Sequence, residues 1–239
     1  MKKNRTGVEE KLHKYNQQFN NVVAFSAADD KLLLMDFTAN NTLLTTDIVS
    51  DTDKFCNYIN QQLADNNALY GIGGYNEHRT IYARSEVFDT ADEPRRLHLG
   101  IDIWGKAGTE VYVPIGGTIH SFAFNNSYGD YGATIVLQHQ LDGMVFHTLY
   151  GHLSLADIEH LKEGKFVSQG ELLARFGEPK ENGYWPPHLH FQIIVDMQLK
   201  KGDYPGVCKF SQREEYLANC LDADLVLQMM QFALPATIA

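Results

Sequence analysis

Residues 109–153 read TEVYVPIGGTIHSFAFNNSYGDYGATIVLQHQLDGMVFHTLYGHL. Short β-branched and aromatic runs alternate there with glycine-rich turn signals, the pattern of closely spaced strands. The same texture continues outward, through TIYARS and HLGIDIW on one side and ELLARFG and HLHFQIIVD on the other, from about Tyr70 to Asp196. Strands spaced this closely specify a mainly β fold built on a compact, largely antiparallel sheet or sandwich.

The flanks read differently. Asn21 to Thr38 holds two apolar runs, NNVVAF and KLLLMDF, separated by the polar SAADD, and predicts a pair of strands joined by a turn. Asp51 is a helix N-cap, and Phe55, Ile59 and Leu63 recur at helical spacing up to about Asn66. After Pro205, the run SQREEYLANCLDADLVLQMMQFAL has helical character with a break near Asp222. The resulting division is a small α/β extension over 1–83, a β-domain over 84–200 and a helical C-terminal extension over 201–239 that packs on it.

A chain of 239 residues can bury a substantial core. Its net charge of -10 argues against nucleic acid or an anionic membrane as partner, because both require a basic face. The basic residues of MKKNRTGVEEKLHKYNQQFNN have no apolar run behind them, as a secretory signal would, and VVAF and LLLM are too short to span a bilayer. A cytoplasmic protein is expected. Cys56, Cys208 and Cys220 are widely separated, form no CxxC pair and read as structural thiols.

The chemistry concentrates in two short motifs. In HLGID, His98 and Asp102 are an even number of residues apart, so an extended strand points both to one face, and Gly100 between them leaves space for an ion. Gly100 and the β-branched Ile101 and Ile103 favour strand over helix. In HLHFQI, His188 and His190 share a face for the same reason. One imidazole of this pair, with His98 and Asp102, supplies three nitrogen and oxygen ligands, the set of a catalytic zinc whose fourth position is left to water. A structural zinc would be closed by four ligands and would usually use cysteine.

The other HLH imidazole then stands unligated beside that water. His152 in LYGHLS is a further candidate, since Gly151 permits a sharp exit from an apolar strand and puts the imidazole at a strand end. Either motif alone is also what packing produces, but their joint occurrence with GHLS between them is hard to ascribe to packing. His120, His139 and His147 lie within apolar strands and read as satisfied core or face residues, whereas His13, His78 and His160 sit in polar segments and read as solvated. Tyr184 and Trp185 read as groove-wall aromatics or as buried packing.

Taken in order, HLGID, GTEVYVPIGGTI, YGDYGATIVLQH, LYGHLS, EGKFVSQGELLARFG and HLHFQI resemble the catalytic domain of the lysostaphin-type zinc endopeptidases, over roughly Arg84 to Val195. The resemblance implies a compact antiparallel β-domain of the duplicated hybrid motif kind, with a groove across the sheet. It implies Zn2+ held by His98, Asp102 and His190, and catalysis by His152 and His188. Its implied substrate is a peptide or a peptidoglycan fragment, cut next to glycine or D-alanine.

Three departures bear on that substrate. The chain shows no export signal, whereas peptidoglycan cross-links lie outside the cytoplasm. The loop from Gly177 to Pro187, GEPKENGYWPP, lacks the small residues expected before HLH. Asn21 to Tyr75 and the DYPGV of Asp203 to Val207 resemble a module fused between a kinase-like phosphotransferase and a class III aminotransferase, which implies association with such modules. Two other classes account for part of the pattern. A binding or regulatory module could retain the metal for shape, and a histidine phosphocarrier-like domain would use His152 and His188 but gives no role to His98 with Asp102.

Overall fold

The computed structural model describes residues 2–88, 90 and 92–236. The chain is mainly β. A ten-stranded sheet runs in the order Ala233–Leu234, Leu32–Leu34, Tyr70–Gly73, Ile101–Trp104, His188–Ile194, Met144–Leu153, Gly132–Leu141, Gly117–Asn125 and Phe166–Val167, with Cys220–Leu221 paired to the His188–Ile194 strand off this path. All pairings from Tyr70–Gly73 onward are antiparallel, while Leu32–Leu34 pairs parallel to both of its neighbours.

The pleat decides what each face carries, because successive side chains point to opposite sides. Leu189, Phe191 and Ile193 enter the largest apolar core together with Ile101, Ile103, Ile135, Leu137 and Phe146. His188, His190 and Gln192 alternate with them and are equally buried. On their side, Phe37 and Phe55 pack against Trp104 with ring centroids 5.1 and 6.1 Å away, and Phe55 packs on Trp185 at 6.4 Å. The segment that precedes the sheet's centre in sequence therefore covers the face that bears the polar side chains.

Several local expectations hold and others do not. Asp51 caps the Thr52–Asp65 helix, its carboxylate accepting the Lys54 N–H at 3.0 Å, and Phe55, Ile59 and Leu63 are its buried residues. The hairpin expected between NNVVAF and KLLLMDF is absent. Only Leu32–Leu34 is a strand, and the distant Tyr70–Gly73 satisfies its backbone in a parallel ladder. Val22 and Val23 are buried all the same, and the Val22 carbonyl accepts the Tyr112 N–H at 2.8 Å. TIYARS forms the 3-10 turn Ile81–Arg84 rather than a strand.

The N-terminus forms a helix, Lys2–Tyr15, that buries Val8 and Leu12. The C-terminal run contains the short helices Arg213–Leu217 and Asp224–Leu227 with the Cys220–Leu221 strand between them, then the 3-10 turn Met230–Phe232 and the Ala233–Leu234 strand. The Cys220–Leu221 strand completes the ladder beside Ile193 and Ile194, and ladder bonds there displace helical ones. Cys56, Cys208 and Cys220 are free thiols, the last two buried. Among the described residues, no helix is long and apolar enough to cross a membrane.

Candidate metal centre and active site

Register brings the central residues together. Asp102 lies opposite His190, and Trp104 opposite His188, across the antiparallel pair Ile101–Trp104 and His188–Ile194. His98 is not on Asp102's strand, as the spacing had suggested. Its strand, Leu97–His98, pairs with Val207–Cys208 and stops, and the chain resumes as Ile101–Trp104. The donor atoms nevertheless converge, with His98 Nε2 2.9 Å from His190 Nδ1 and 3.3 Å from Asp102 Oδ1, and His190 Nδ1 3.0 Å from Asp102 Oδ1. Gly100 serves a purpose other than leaving room for an ion. A Cβ there would stand 2.6 Å from the Phe191 carbonyl oxygen and 2.8 Å from the His190 ring, so glycine admits the ligand imidazole itself.

The surrounding hydrogen bonds fix which nitrogen faces inward. His98 Nδ1–H donates to the Gly74 carbonyl at 3.0 Å, which leaves the Nε2 lone pair toward the cluster. His190 Nε2–H donates to Gln192 Oε1 at 2.9 Å, which leaves Nδ1 free. Arg79, fully buried, bonds Asp102 Oδ2 through Nη1 and Glu77 through Nε at 2.6 Å, so Oδ1 is the carboxylate oxygen turned to the imidazoles. Burial alone would raise the Asp102 carboxyl, but the adjoining His98 and Arg79 hold it well below the usual carboxylate range. Burial, with the Arg79 charge, pushes the His98 imidazole down to about 4.

These residues fit a small divalent cation. Ligand bonds of ~2.0–2.1 Å in a tetrahedron give edges of about 3.3 Å, close to the three separations observed. His98, Asp102 and His190 are also the group of metal-capable side chains found among the described residues. Two neutral nitrogens and one carboxylate oxygen form a three-ligand set that leaves one position for another group. Asp102 and His190 line a pocket of about 140 Å³.

His152 and His188 line the same pocket, their ring centroids 4.0 Å apart. His152 Nδ1–H donates to the Asn182 carbonyl at 2.7 Å, and His188 Nδ1–H to the Pro186 carbonyl at 2.7 Å. Each therefore keeps an Nε2 lone pair with no hydrogen-bond partner among the described residues. His188 also stacks on Trp104, 3.9 Å between centroids and 15° between planes. Burial pushes His188 down to about 4, and burial with the neighbouring His188 holds His152 well below the ordinary imidazole value.

The His152 backbone is left-handed, with φ of 63°, at the last residue but one of the Met144–Leu153 strand. The register to the neighbouring strand slips there, between Ala133 and Ile135, and a non-glycine residue in this conformation is held against its own preference. Gly151 immediately precedes this irregularity and has a second consequence. A Cβ at Gly151 would stand 2.6 Å from the Tyr131 ring, so glycine lets Tyr131 reach the site. Tyr131 lies beside both His152 and His190, with centroids 5.5 and 5.1 Å away.

All five residues singled out in the sequence are thus brought together, each at most 6% exposed. Four others were missed. Gln192 and Trp104 share the strand-face alternation of His190 and Asp102, so the same even spacing could have found them. Arg79 and Tyr131 come from loops with no such signal. Trp185 is buried and also lines the pocket, while Tyr184 is 41% exposed. His13, His78 and His160 are exposed, as expected.

Residues 96–201 match the family described as Peptidase family M23. No curated protein matches the chain. Among solved structures, a zinc containing peptidase from Vibrio cholerae is 29% identical, covering 42% of this chain and 28% of that one, with a TM-score of 0.34. The catalytic domain of the antimicrobial peptidase lysostaphin from Staphylococcus simulans is 22% identical, covering 67% of this chain and 96% of that one, with a TM-score of 0.41. Csd3 of Helicobacter pylori is 26% identical, covering 52% and 32%, with a TM-score of 0.33. This chain therefore spans less than a third of the length of the Vibrio and Helicobacter proteins. The matched stretch, residues 96–201, carries the converging histidines and Asp102, and it is this part of the chain that is similar to peptidase family M23.

Proposed function

We propose that this protein is a zinc-dependent peptidase that hydrolyses an amide bond, with His98, Asp102 and His190 as metal ligands and His152 and His188 as catalytic residues. The observation that carries this reading is the convergence of three ligand atoms within 3.3 Å beside two imidazoles whose Nε2 atoms are unused. When bound, zinc supplies a Lewis acid for the scissile carbonyl and lowers the pKa of water toward ~7.

The chain's own residues supply the proton handling. Both Nδ1–H groups are committed to backbone carbonyls, so His152 and His188 each present a basic Nε2. Whichever accepts the proton of the attacking water becomes the imidazolium that can return it to the leaving amine, while the other orients the reacting groups. Trp104 stacked on His188, and the two carbonyl acceptors, fix the ring planes and save the entropy of aligning them. The substrates this supports are peptides, including peptidoglycan-derived ones. A cytoplasmic location would favour free fragments, and association with phosphotransferase or aminotransferase modules would fit such a role.

The test combines metal analysis with turnover. His98→Ala and His190→Ala should lower bound zinc, whereas His152→Ala should keep the metal and lose hydrolysis of glycine-rich or D-alanine-containing peptides. Loss of zinc in His152→Ala but not in His190→Ala would sink the ligand assignment. Full zinc occupancy with no turnover on a broad amide panel, with chelator controls, would favour a binding module instead.

A further inference from the structure

Residues 203–208, DYPGVC, begin just past the stretch 96–201 and run as a strap without regular structure until the last two pair with Leu97–His98. Asp203, Pro205, Gly206 and Val207 line the pocket together with Asp102 and His190, as Ile81, Tyr82 and Phe88 also do. The backbone of the strap is bonded to the metal centre at several points. Val207 sits opposite His98 in the ladder, and the Gly206 carbonyl accepts the Leu99 N–H at 2.8 Å. The Tyr204 carbonyl accepts the Tyr131 hydroxyl at 3.1 Å, and that hydroxyl lies 3.4 Å from His190 Nε2.

The Pro205 carbonyl makes the contact with the largest chemical consequence. The Gln192 amide is fully buried, and Nε2 donates both to that carbonyl and to the Cys220 sulfur, each 3.2 Å away. A carbonyl cannot donate, so turning the amide over would set two oxygens against each other. The amide oxygen therefore faces His190 and accepts Nε2–H at 2.9 Å, which leaves Nδ1 to point at His98 Nε2 and Asp102 Oδ1. An inverted amide would offer an N–H to Nε2 and put the imidazole proton on Nδ1, where it would block the metal.

Gly206 lets the strap come this close. Its φ is not left-handed, so the requirement for glycine is one of space. A Cβ there would collide with the Tyr131 hydroxyl, standing 2.9 Å from the carbon that bears it and 3.2 Å from the His190 ring.

We propose that residues 203–208 are a positioning element of the metal centre, and that Pro205 with Cys220 selects the His190 nitrogen that meets the metal by fixing the Gln192 amide. This deepens the ligand assignment above and rests on it, but it does not depend on turnover.

The test reads zinc affinity, by competition with a chromophoric chelator, and the His190 Nε2–H proton, by NMR of the zinc-loaded full chain with isotope-labelled histidine. In the unaltered protein that proton should be protected from exchange with solvent. Gly206→Ala should weaken zinc at least ~10-fold, the effect expected of a disturbed outer partner of a ligand histidine, and should speed that exchange. Adding Tyr131→Phe, which removes the hydroxyl the new methyl would strike, should recover part of the lost affinity. A folded Gly206→Ala chain with unchanged affinity and exchange would overturn the proposal. So would a loss that Tyr131→Phe leaves in full, because the methyl would then not act by displacing the strap from Tyr131.

If Gly206→Ala does not fold, the Cys220 variants decide. Cys220→Ala removes one acceptor from Gln192 and should lower zinc affinity roughly three-fold and speed the same exchange, whereas Cys220→Ser, whose oxygen still accepts, should preserve both. Equal values for Cys220→Ala and Cys220→Ser would overturn selection through Gln192. Zinc bound by His190→Ala as tightly as by the unaltered protein would sink the ligand assignment and this proposal with it, whereas loss of turnover alone would count only against the hydrolase reading.

Discussion

His98, His152, His188 and His190 gather around Asp102, while His120, His139 and His147 lie elsewhere on the same sheet, on the Gly117–Asn125, Gly132–Leu141 and Met144–Leu153 strands. Burial depresses members of both groups alike, taking His98, His188, His139 and His147 each to about 4. What differs is where the ring nitrogens point. In the first group the lone pairs of His98 and His190 meet a carboxylate oxygen within 3.3 Å. In the second, His139 spends its nitrogens on the Gly116 carbonyl at 3.1 Å and on Thr148 at 2.7 Å, and His147 and His120 meet only edge to face, 5.0 Å between centroids. A depressed imidazole pKa therefore reports burial, and only convergence with a carboxylate marks a metal site.

The largest test of this contrast is ligand removal. His190→Ala should abolish zinc binding and take turnover to background, whereas His139→Gln should leave metal content unchanged when both are measured by elemental analysis. His152→Ala should retain zinc and lower kcat by ~10²–10⁴, the usual contribution of a positioned general base. Equal zinc loss in His190→Ala and His139→Gln would erase the distinction between the groups.

Arg79 gives the next largest effect. It is buried against Asp102 and Glu77, and removing one partner of such a group leaves uncompensated charge. Arg79→Met should cost about 3–5 kcal/mol of stability in the metal-free protein, read by urea unfolding.

His139 should set part of the acid response. Its folded pKa lies near 4, because it is desolvated, against 6.5 unfolded. The unfolded chain binds its proton first, so the contribution is intact above pH 6.5 and drains away as pH falls toward 4, by about 3 kcal/mol at most. His139→Gln should flatten the stability profile in that window and leave it unchanged above it. A profile parallel to that of the unaltered protein would remove His139 from the account.

Gln192 should give the smallest effect. It fixes His190's tautomer from the side, and Gln192→Leu should weaken zinc ~10–100-fold without displacing it from the same three ligands. Competition with a chromophoric chelator measures this, and an unchanged affinity would show that His190 is oriented by the strand alone.

Alternation along strands made most of the site legible. HLH and the Asp102 strand obey a period of two, and the pleat then puts His188 and His190 on one side and Leu189 and Phe191 on the other without reference to anything distant. The Asp51 cap was legible for the same reason, since its bond to Lys54 is local. The missed hairpin at Asn21 to Thr38 failed because the strand partners lie far along the chain, where Tyr70–Gly73 supplies the ladder. TIYARS was misread because β-branched texture does not distinguish a strand from a turn pinned by tertiary contacts such as Tyr82 on Trp185.

By itself the sequence determined the mainly β character, the two motifs from which the site residues come and the shared strand face of His188 and His190, because these depend on residue type and on spacing within a few positions. Only the tertiary structure decided that the His98 strand breaks at Gly100, that a buried Arg79 holds the far oxygen of Asp102, and that fixed walls from Ile81 to Phe88 and from Pro205 to Val207 narrow the approach to the metal. Each of those joins residues tens of positions apart, and such meetings are set by packing, which no local period encodes.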